Sequence, residues 1–171
     1  MPEPTDPALL ERLSALFAAR DRNDMAPTIR ALLAVYAEHP DDPHVLYEVG
    51  GAYDTAGEEE TAAGYYERAL RAGLEGDTLR RCLLQYGSTL RNLDRFDESL
   101  AALDRALALF PASESVRVWH ALSLHAAGRS DAAVAELMEL AADGIRTPDL
   151  LRYEPAIRGN AEYLRSLDTV S

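Results

Sequence analysis

The chain has 171 residues, of which 47% are hydrophobic, so a single globular domain with a packed core is expected. Its formal charge is −12, from 17 basic and 29 acidic side chains, which argues against binding to nucleic acid or to an anionic membrane. The single cysteine, Cys82, excludes an internal disulfide, and its position in a helix-like run favours burial over reactivity.

Nothing in the sequence predicts a membrane span or a secretory signal. The apolar runs are only a few residues long, and Glu3 and Asp6 stand where a signal peptide would carry basic residues. We therefore expect a soluble, cytoplasmic protein. Every basic residue is arginine, and arginine codons are GC-rich, which favours a bacterium with a GC-rich genome.

The first predicted element is a degenerate helical repeat at residues 8–40. Its first helix is expected to begin at Asp6-Pro7, because the carboxylate caps an amide and proline has no amide hydrogen to satisfy. The positions that recur later in the chain are Leu16, Thr28, Leu32 and the closing Pro40.

Two clearer repeats follow, at residues 43–74 and 80–111. The stretch LYEVGGAYDTAGEEETAAGYYERAL aligns without a gap on LLQYGSTLRNLDRFDESLAALDRAL, 37 residues later. Asp42-Pro43 is expected to begin the first of them, as Asp6-Pro7 begins the degenerate repeat. The matched pairs are Leu46 and Leu83, Val49 and Tyr86, Gly50 and Gly87, Tyr53 and Leu90, Ala62 and Ser99, Tyr66 and Leu103, Ala69 and Ala106.

A divergent repeat at residues 114–142 and a terminal helix at residues 148–168 complete the chain. Ala121, Leu124, Ala133 and Leu137 fit the repeat, whereas Arg117 and His120 stand at two apolar positions. The terminal helix begins at Thr147-Pro148, and its apolar stripe is expected to cap the last repeat or, if it does not, to favour dimerisation. Because it contains Pro155 and Gly159, we expect this helix to be kinked or divided.

The repeat resembles the tetratricopeptide repeat, Trp-x2-Leu-Gly-x2-Tyr, then Ala-x3-Phe, then Pro. In the first clear copy, Leu46, Val49-Gly50 and Tyr53 match the first half, and Ala62 and Tyr66 match the second. The resemblance covers roughly residues 8–142. It implies one all-α domain over residues 1–171, a right-handed superhelical solenoid of stacked antiparallel helix pairs with a C-terminal capping helix. It also implies a role in protein–protein interaction.

Small residues in the repeat mark where paired helices are expected to approach closely. Gly50, Gly87 and Ala121 fall at the predicted crossing, although each glycine in a helix costs roughly 1 kcal/mol relative to alanine. Gly51 lies on the next face of the helix and the pattern does not require it. Two explanations stay open for Gly51: tolerated drift, or a groove floor left bare for the backbone of a ligand.

No catalytic or nucleotide-binding motif is present in the sequence, including Gly-x-Gly-x-x-Gly, a phosphate-binding loop, His-Glu-x-x-His and Gly-x-Ser-x-Gly. We therefore expect no enzyme activity, no cofactor and no metal site. His120 and His125 lie five residues apart, about 140° around a helix, which does not suit a shared metal.

The remaining candidate for function is the concave surface, which the first helix of each repeat lines. Arginine and aromatic side chains are typical of peptide-binding hot spots, and arginines on an acidic molecule favour an acidic partner segment. The side chains predicted to bind such a partner are Tyr47, Arg81, Leu84, Ser88, Arg91, Trp119 and Leu122.

Three qualifications accompany this interpretation. Chaperone-associated members of the family clamp a terminal carboxylate with lysines and asparagines, but this sequence has other residues there, so the clamp is missing. The corresponding positions hold Leu13, Phe17, Tyr47, Gly51, Leu84 and Ser88. For Trp119, the alternative is packing between repeats. For the whole protein, the alternative is a homodimeric scaffold without a peptide site.

Overall fold

The computed structural model describes residues 5–168, in which the regular structure is helical apart from an isolated bridge between Asp21 and Asp24. Nine helices lie within these residues: α1 Pro7–Ala18, α2 Ala26–Glu38, α3 Pro43–Thr55, α4 Glu59–Ala72, α5 Gly76–Asn92, α6 Phe96–Leu109, α7 Glu114–Ala126, α8 Ser130–Gly144 and α9 Pro148–Asp168. The helices pack in sequential pairs, which confirms the predicted all-α class. None of these helices combines the length and apolar character that crossing a bilayer requires.

The chain divides into two compact units, Met1–Leu93 and Asp94–Ser171, called here the N-terminal and C-terminal units. The division falls inside the predicted 80–111 repeat, between α5 and α6. The prediction of one domain over the whole chain stays a prediction.

The N-terminal unit is built around α3, which packs against α4, α2, α1 and α5. Its apolar residues form two clusters. The first joins α1, α2 and α3 and contains Leu9, Leu13, Met25, Leu32, Val35, Val45, Val49 and Ala52. The second joins α3, α4 and α5 and contains Leu46, Tyr47, Ala62, Tyr66, Ala69, Leu74 and Cys82. Because Cys82 is fully buried in this second cluster, its predicted structural role is confirmed.

The three predicted Asp-Pro and Thr-Pro helix starts are confirmed. The Asp6 carboxylate accepts a hydrogen bond from the Ala8 amide at 3.0 Å. The Asp42 carboxylate accepts from two amides at the start of α3, at 2.9 and 3.0 Å. The Thr147 hydroxyl accepts from the Leu150 amide at 3.4 Å. Each side chain therefore satisfies an amide that its helix leaves unpaired.

The close approach predicted at Gly50 is present. A Cβ atom at residue 50 would lie 2.9 Å from Tyr66 Cδ1 and 3.3 Å from Tyr65 Cβ, so α3 presses against these tyrosines of α4. At Gly51 the nearest atom to an added Cβ would be Tyr66 Oη at 3.7 Å, an ordinary contact. Only the first of the two neighbouring glycines is therefore required by packing.

In the C-terminal unit, α9 is one continuous helix from Pro148 to Asp168. Of the two expected outcomes, a kinked or a divided helix, the divided helix is therefore wrong, and the kink stays a prediction. Pro155 removes a single backbone hydrogen bond, the one to the carbonyl of Leu151. The packing of α9 along α8 is extensive enough to keep the residues before and after Pro155 helical despite the missing hydrogen bond.

Charged side chains fasten α9 to α8 and α8 to α7. Arg165 of α9 donates two hydrogen bonds to Glu139 of α8, at 3.0 and 2.7 Å. Asp143 of α8 accepts from Arg158 of α9 at 2.9 Å and from Arg117 of α7 at 2.7 Å. The predicted capping helix therefore covers the last helix pair of its own chain.

Candidate functional site

A groove in the N-terminal unit is bordered by α1, α3 and α5 and is called here the α1–α3–α5 groove. It contains a small cavity of about 160 Å³ and a large cavity of about 360 Å³. Both cavities are lined by Phe17 of α1 and by Tyr47 and Glu48 of α3, so these residues form a shared ridge. A chain lying across the ridge would reach both cavities.

Tyr47 forms a wall of the groove, since its side chain is only 6% exposed. Its ring lies 6.2 Å from the ring of Tyr66 in a tilted arrangement. Burial raises the pKa of the Tyr47 phenol to about 12, so the hydroxyl stays protonated at neutral pH. Tyr47 therefore offers an apolar surface rather than a charge.

A hydrogen-bonded group joins α3, α4 and α5 at the small cavity, which Asp54 and Gln85 line. The hydroxyl of Tyr66 lies 3.2 Å from both the Asp54 carboxylate and the Gln85 side-chain oxygen. Thr89 donates a second hydrogen bond to Asp54, also at 3.2 Å. Burial raises the pKa of Asp54, and the hydrogen bonds from Thr89 and Tyr66 partly offset that rise.

Glu48 is a half-buried carboxylate on the ridge, and no described residue hydrogen-bonds or ion-pairs with it. Burial raises the pKa of Glu48 to about 7, although the positive charges of Arg81 and Arg20 act in the opposite direction. Near neutral pH the groove therefore contains a carboxyl group that is partly protonated and has no fixed partner.

The predicted site residues of the N-terminal unit fall into two places. Tyr47 and Arg81 line the large cavity together, and Arg81 forms an ion pair with Asp77 at 3.1 Å. Further along α5, Arg91 donates a hydrogen bond to the hydroxyl of Ser88 at 3.1 Å. Leu84 is half-buried on the same helix.

The Arg91 guanidinium is partly buried, which lowers its pKa. Its Nη2 atom is held by Ser88 and, at 3.3 Å, by Asn92, while its buried Nη1 atom has no hydrogen-bond partner among the described residues. Arg91 is therefore positioned within its own helix rather than extended into solvent.

The other two predicted residues, Trp119 and Leu122, lie on α7 in the C-terminal unit. Leu122 is 44% exposed and Trp119 is half-buried. Between them, His120 is bracketed by Glu136 at 2.6 Å and Asp104 at 3.2 Å, which explains a polar residue at an apolar repeat position. The described residues contain no cluster of three or more histidine, cysteine or acidic side chains arranged for a metal.

The sequence-based prediction missed Glu48 as a groove residue. Helical spacing was a sufficient signal, because His44, Tyr47, Glu48 and Gly51 recur at i, i+3, i+4 and i+7 on one face of α3. The sequence identifies Phe17 and Gly51 as positions of the missing clamp, and Gly51 also as a possible groove floor, but neither as a predicted binding residue. Both residues line the small cavity.

Several solved structures share this fold at low sequence identity. MamA has a TM-score of 0.65 at 19% identity, covering 86% of this chain and 88% of that one. A fragment of MamA from Desulfovibrio magneticus RS-1, starting at residue 41, has a TM-score of 0.67 at 13% identity, with 97% and 96% covered. YrrB, described as a TPR protein with an unusual peptide-binding site, has a TM-score of 0.67 at 18% identity, with 95% and 84% covered.

Among proteins of curated function, none is similar in sequence. Residues 43–164, well over half of the chain, match the tetratricopeptide repeat family, and residues 10–74 match a second description of the same repeat. These matches include the two clear copies found by internal alignment. The chain belongs to the tetratricopeptide repeat family.

Proposed function

We propose that the protein is a non-catalytic adaptor that binds a segment of a partner protein in the α1–α3–α5 groove. Tetratricopeptide repeats are typically protein-interaction modules and are generally not catalytic. The observation that carries the proposal is the pair of adjoining cavities, which share the ridge of Phe17, Tyr47 and Glu48. The similar fold of YrrB, described as having a peptide-binding site, is consistent with it.

We expect the bound segment to be extended. In an extended chain, side chains two positions apart point to the same side about 7 Å from one another. Leu10, Leu13 and Phe17 give the large cavity an apolar wall, while Thr55 and Gln85 add hydrogen-bonding groups to the small one. One partner side chain in each cavity would bury the ridge between them.

The other predicted contacts remain part of the proposal. Leu84, Ser88 and Arg91 would extend the contact along α5, and Trp119 and Leu122 would offer a contact surface on the C-terminal unit. The expected preference for acidic partners rested on Arg81 and Arg91, which have Asp77 and Ser88 as partners within the chain. Groove binding itself does not depend on that preference.

A pair of glycine substitutions tests the groove. Gly51 lines the small cavity, and an added Cβ atom there meets no clash, so the rest of a leucine in Gly51→Leu would fill the cavity. Gly64 is an exposed glycine within α4 that has nothing within 4 Å of an added Cβ atom, so Gly64→Leu is the matched control. Proteins captured from the source cells by the parent and by Gly64→Leu, but lost with Gly51→Leu, would support the groove. Equal capture by all three would contradict it.

A homodimeric scaffold is the second candidate, favoured by exposed apolar side chains on α9. Tyr153 and Tyr163 are 56% and 61% exposed, and Leu167, one turn after Tyr163, is 39% exposed. Light scattering of the parent and of a Tyr153→Glu, Tyr163→Glu double variant shows whether each protein is a monomer or a dimer. A parent that stays monomeric at high micromolar concentration rules the scaffold out.

A further inference from the structure

We propose that the α1–α3–α5 groove selects a partner segment with a lysine or arginine side chain, whose cationic end pairs with Glu48. An apolar residue two positions away would occupy the large cavity. The inference rests on the proposed groove-binding function and specifies the chemistry of its ligand.

Glu48 differs from the other half-buried carboxylates of the described N-terminal unit. Asp42 accepts from two amides, Asp54 from Tyr66 and Thr89, and Glu59 from Asn92 at 2.7 Å. Glu48 is the fourth such carboxylate and accepts nothing from the described residues. A ligand that supplies a donor meets an acceptor without a partner at Glu48, whereas at the other three it would have to replace hydrogen bonds that are already formed.

The two arginines whose positive charges act on Glu48, Arg20 and Arg81, have contacts elsewhere. The Arg20 guanidinium lies 3.5 Å from the centre of the Phe17 ring and donates to the Phe17 carbonyl at 2.6 Å. Arg81 is paired with Asp77 at 3.1 Å. Burial raises the pKa of Glu48 to about 7 although the positive charges of Arg20 and Arg81 lower it. These two charges therefore do not stabilise the ionised carboxylate as a directly paired cation would.

The small cavity suits an amphipathic basic side chain. Phe17, Met25 and Leu32 line it with apolar surface that would contact the methylene stem, and Glu48 adds a carboxylate to the same lining that would pair with the charged end. Lysine and arginine commonly bury their stems and pair their charged ends in this way. The net charge of this part of the chain also favours a basic ligand, since residues 1–60 contain 13 acidic residues and 4 arginines, a net charge of −9.

Pairing with a cation favours the ionised form of Glu48, so binding releases a proton when the carboxyl is protonated. The affinity should therefore rise with pH through about 7. The other titratable and charged groups that line the two cavities are Arg20, Arg22, His44, Tyr47, Asp54 and Arg81. The Glu48→Gln variant keeps all of these other groups. The difference in pH dependence between the parent and this variant therefore gives the part of the affinity change that is due to Glu48.

The test uses three capped peptides, acetyl-Gly-Leu-Ala-Xaa-Ala-Gly-amide, in which Xaa is lysine, norleucine or glutamate. Norleucine keeps the length and apolar stem of lysine without the charge. Each peptide is titrated into the full chain and followed by amide chemical shifts at about pH 8 and about pH 5.5, which bracket the pKa of Glu48. Shifts at Phe17 and Gly51 report occupancy of the groove. Glu60→Gln, which removes one exposed carboxylate of α4, is the control for net charge.

At about pH 8 we expect the lysine peptide to bind about tenfold more tightly than the norleucine peptide. In the parent, the ratio of the lysine-peptide affinity to the norleucine-peptide affinity should fall below about threefold at about pH 5.5. In Glu48→Gln, this ratio should be below about threefold at both pH values. In Glu60→Gln, it should equal the ratio of the parent at each pH. Equal binding of lysine and norleucine, with shifts in the groove, would overturn the role of Glu48 but leave the groove function standing. Tightest binding of the glutamate peptide would establish an acidic ligand instead. Absence of shifts at Phe17 and Gly51 with all three peptides would overturn both proposals.

Discussion

Adjacent glycines in α3 allow the packing of this fold to be tested with one chemical change at two positions. Gly50→Ala and Gly51→Ala each add a single methyl group to the same helix, so their gains in helix propensity and their effects on the unfolded chain are nearly equal. Their surroundings differ. A Cβ atom at residue 50 would lie 2.9 and 3.0 Å from two carbons of the Tyr66 ring, whereas at residue 51 the nearest atom lies at 3.7 Å.

The expected magnitudes follow from these distances. Tyr66 is fully buried, so its ring cannot move away without disturbing its neighbours. Overpacking of this kind costs about 1–3 kcal/mol, which exceeds or cancels the gain of about 1 kcal/mol for replacing a helical glycine by alanine. We therefore expect Gly51→Ala to raise the free energy of unfolding by up to about 1 kcal/mol, and Gly50→Ala to be about 1–3 kcal/mol less stable than Gly51→Ala.

Urea titration followed by far-ultraviolet circular dichroism measures both free energies of unfolding. Trp119, the single tryptophan of the chain, lies in the C-terminal unit, and its fluorescence in the same titration shows whether the two units unfold together. If Gly50→Ala and Gly51→Ala have equal free energies of unfolding, residue 50 does not limit the approach of α3 to α4. The packing explanation for that glycine would then be wrong.

Three further predictions concern single carboxylates. Glu48→Gln should become more stable relative to the parent as the pH rises from about 4.5 to above about 7, by at most about 3 kcal/mol, as urea titrations at several pH values would show. Because burial raises the folded-state pKa above the unfolded value, ionisation of Glu48 opposes folding. Asp42→Ala should lower the free energy of unfolding by about 1 kcal/mol, since two amides of α3 lose their cap, while thermal melts of the exposed neighbour Asp41→Ala should match the parent. Glu139→Gln should be less stable than the parent near neutral pH. Because the hydrogen bond from Arg165 lowers the pKa of Glu139, this difference should vanish in acid titrations as the pH falls through that lowered pKa.

Much of the fold was predictable because its signals are local. A capping side chain before proline marks a helix start whatever the surrounding tertiary structure, and the starts of α1, α3 and α9 were correct. The turns between α3 and α4, α5 and α6, and α7 and α8 contain Gly57, Asp94 and Gly128, which have positive φ angles of 79°, 58° and 81°. Pro155 indicated either a kink or a division of the terminal helix, and the division does not occur because the packing of α9 on α8 outweighs the local effect of one proline.

The candidate site was less predictable because its features depend on burial and partners. Helical spacing placed Tyr47 and Arg81 on the concave face, and both line the large cavity. The same spacing contained Glu48, but a glutamate in a helix carries no sign that it will be half-buried without a donor. The partner of Arg81 is Asp77, one turn earlier on α5, and counting arginines on a predicted surface does not reveal such pairs.

Tyr66 connects the packing of α3 to the proposed binding surface. Its ring occupies the space that a Cβ atom at Gly50 would need, and its hydroxyl lies within 3.2 Å of Asp54 and Gln85, which line the small cavity. A larger residue at position 50 would therefore displace the ring and, with it, the hydroxyl that holds these polar groups. Because the small residue of the repeat fixes the depth at which Tyr66 sits, it also fixes the small cavity beside Glu48.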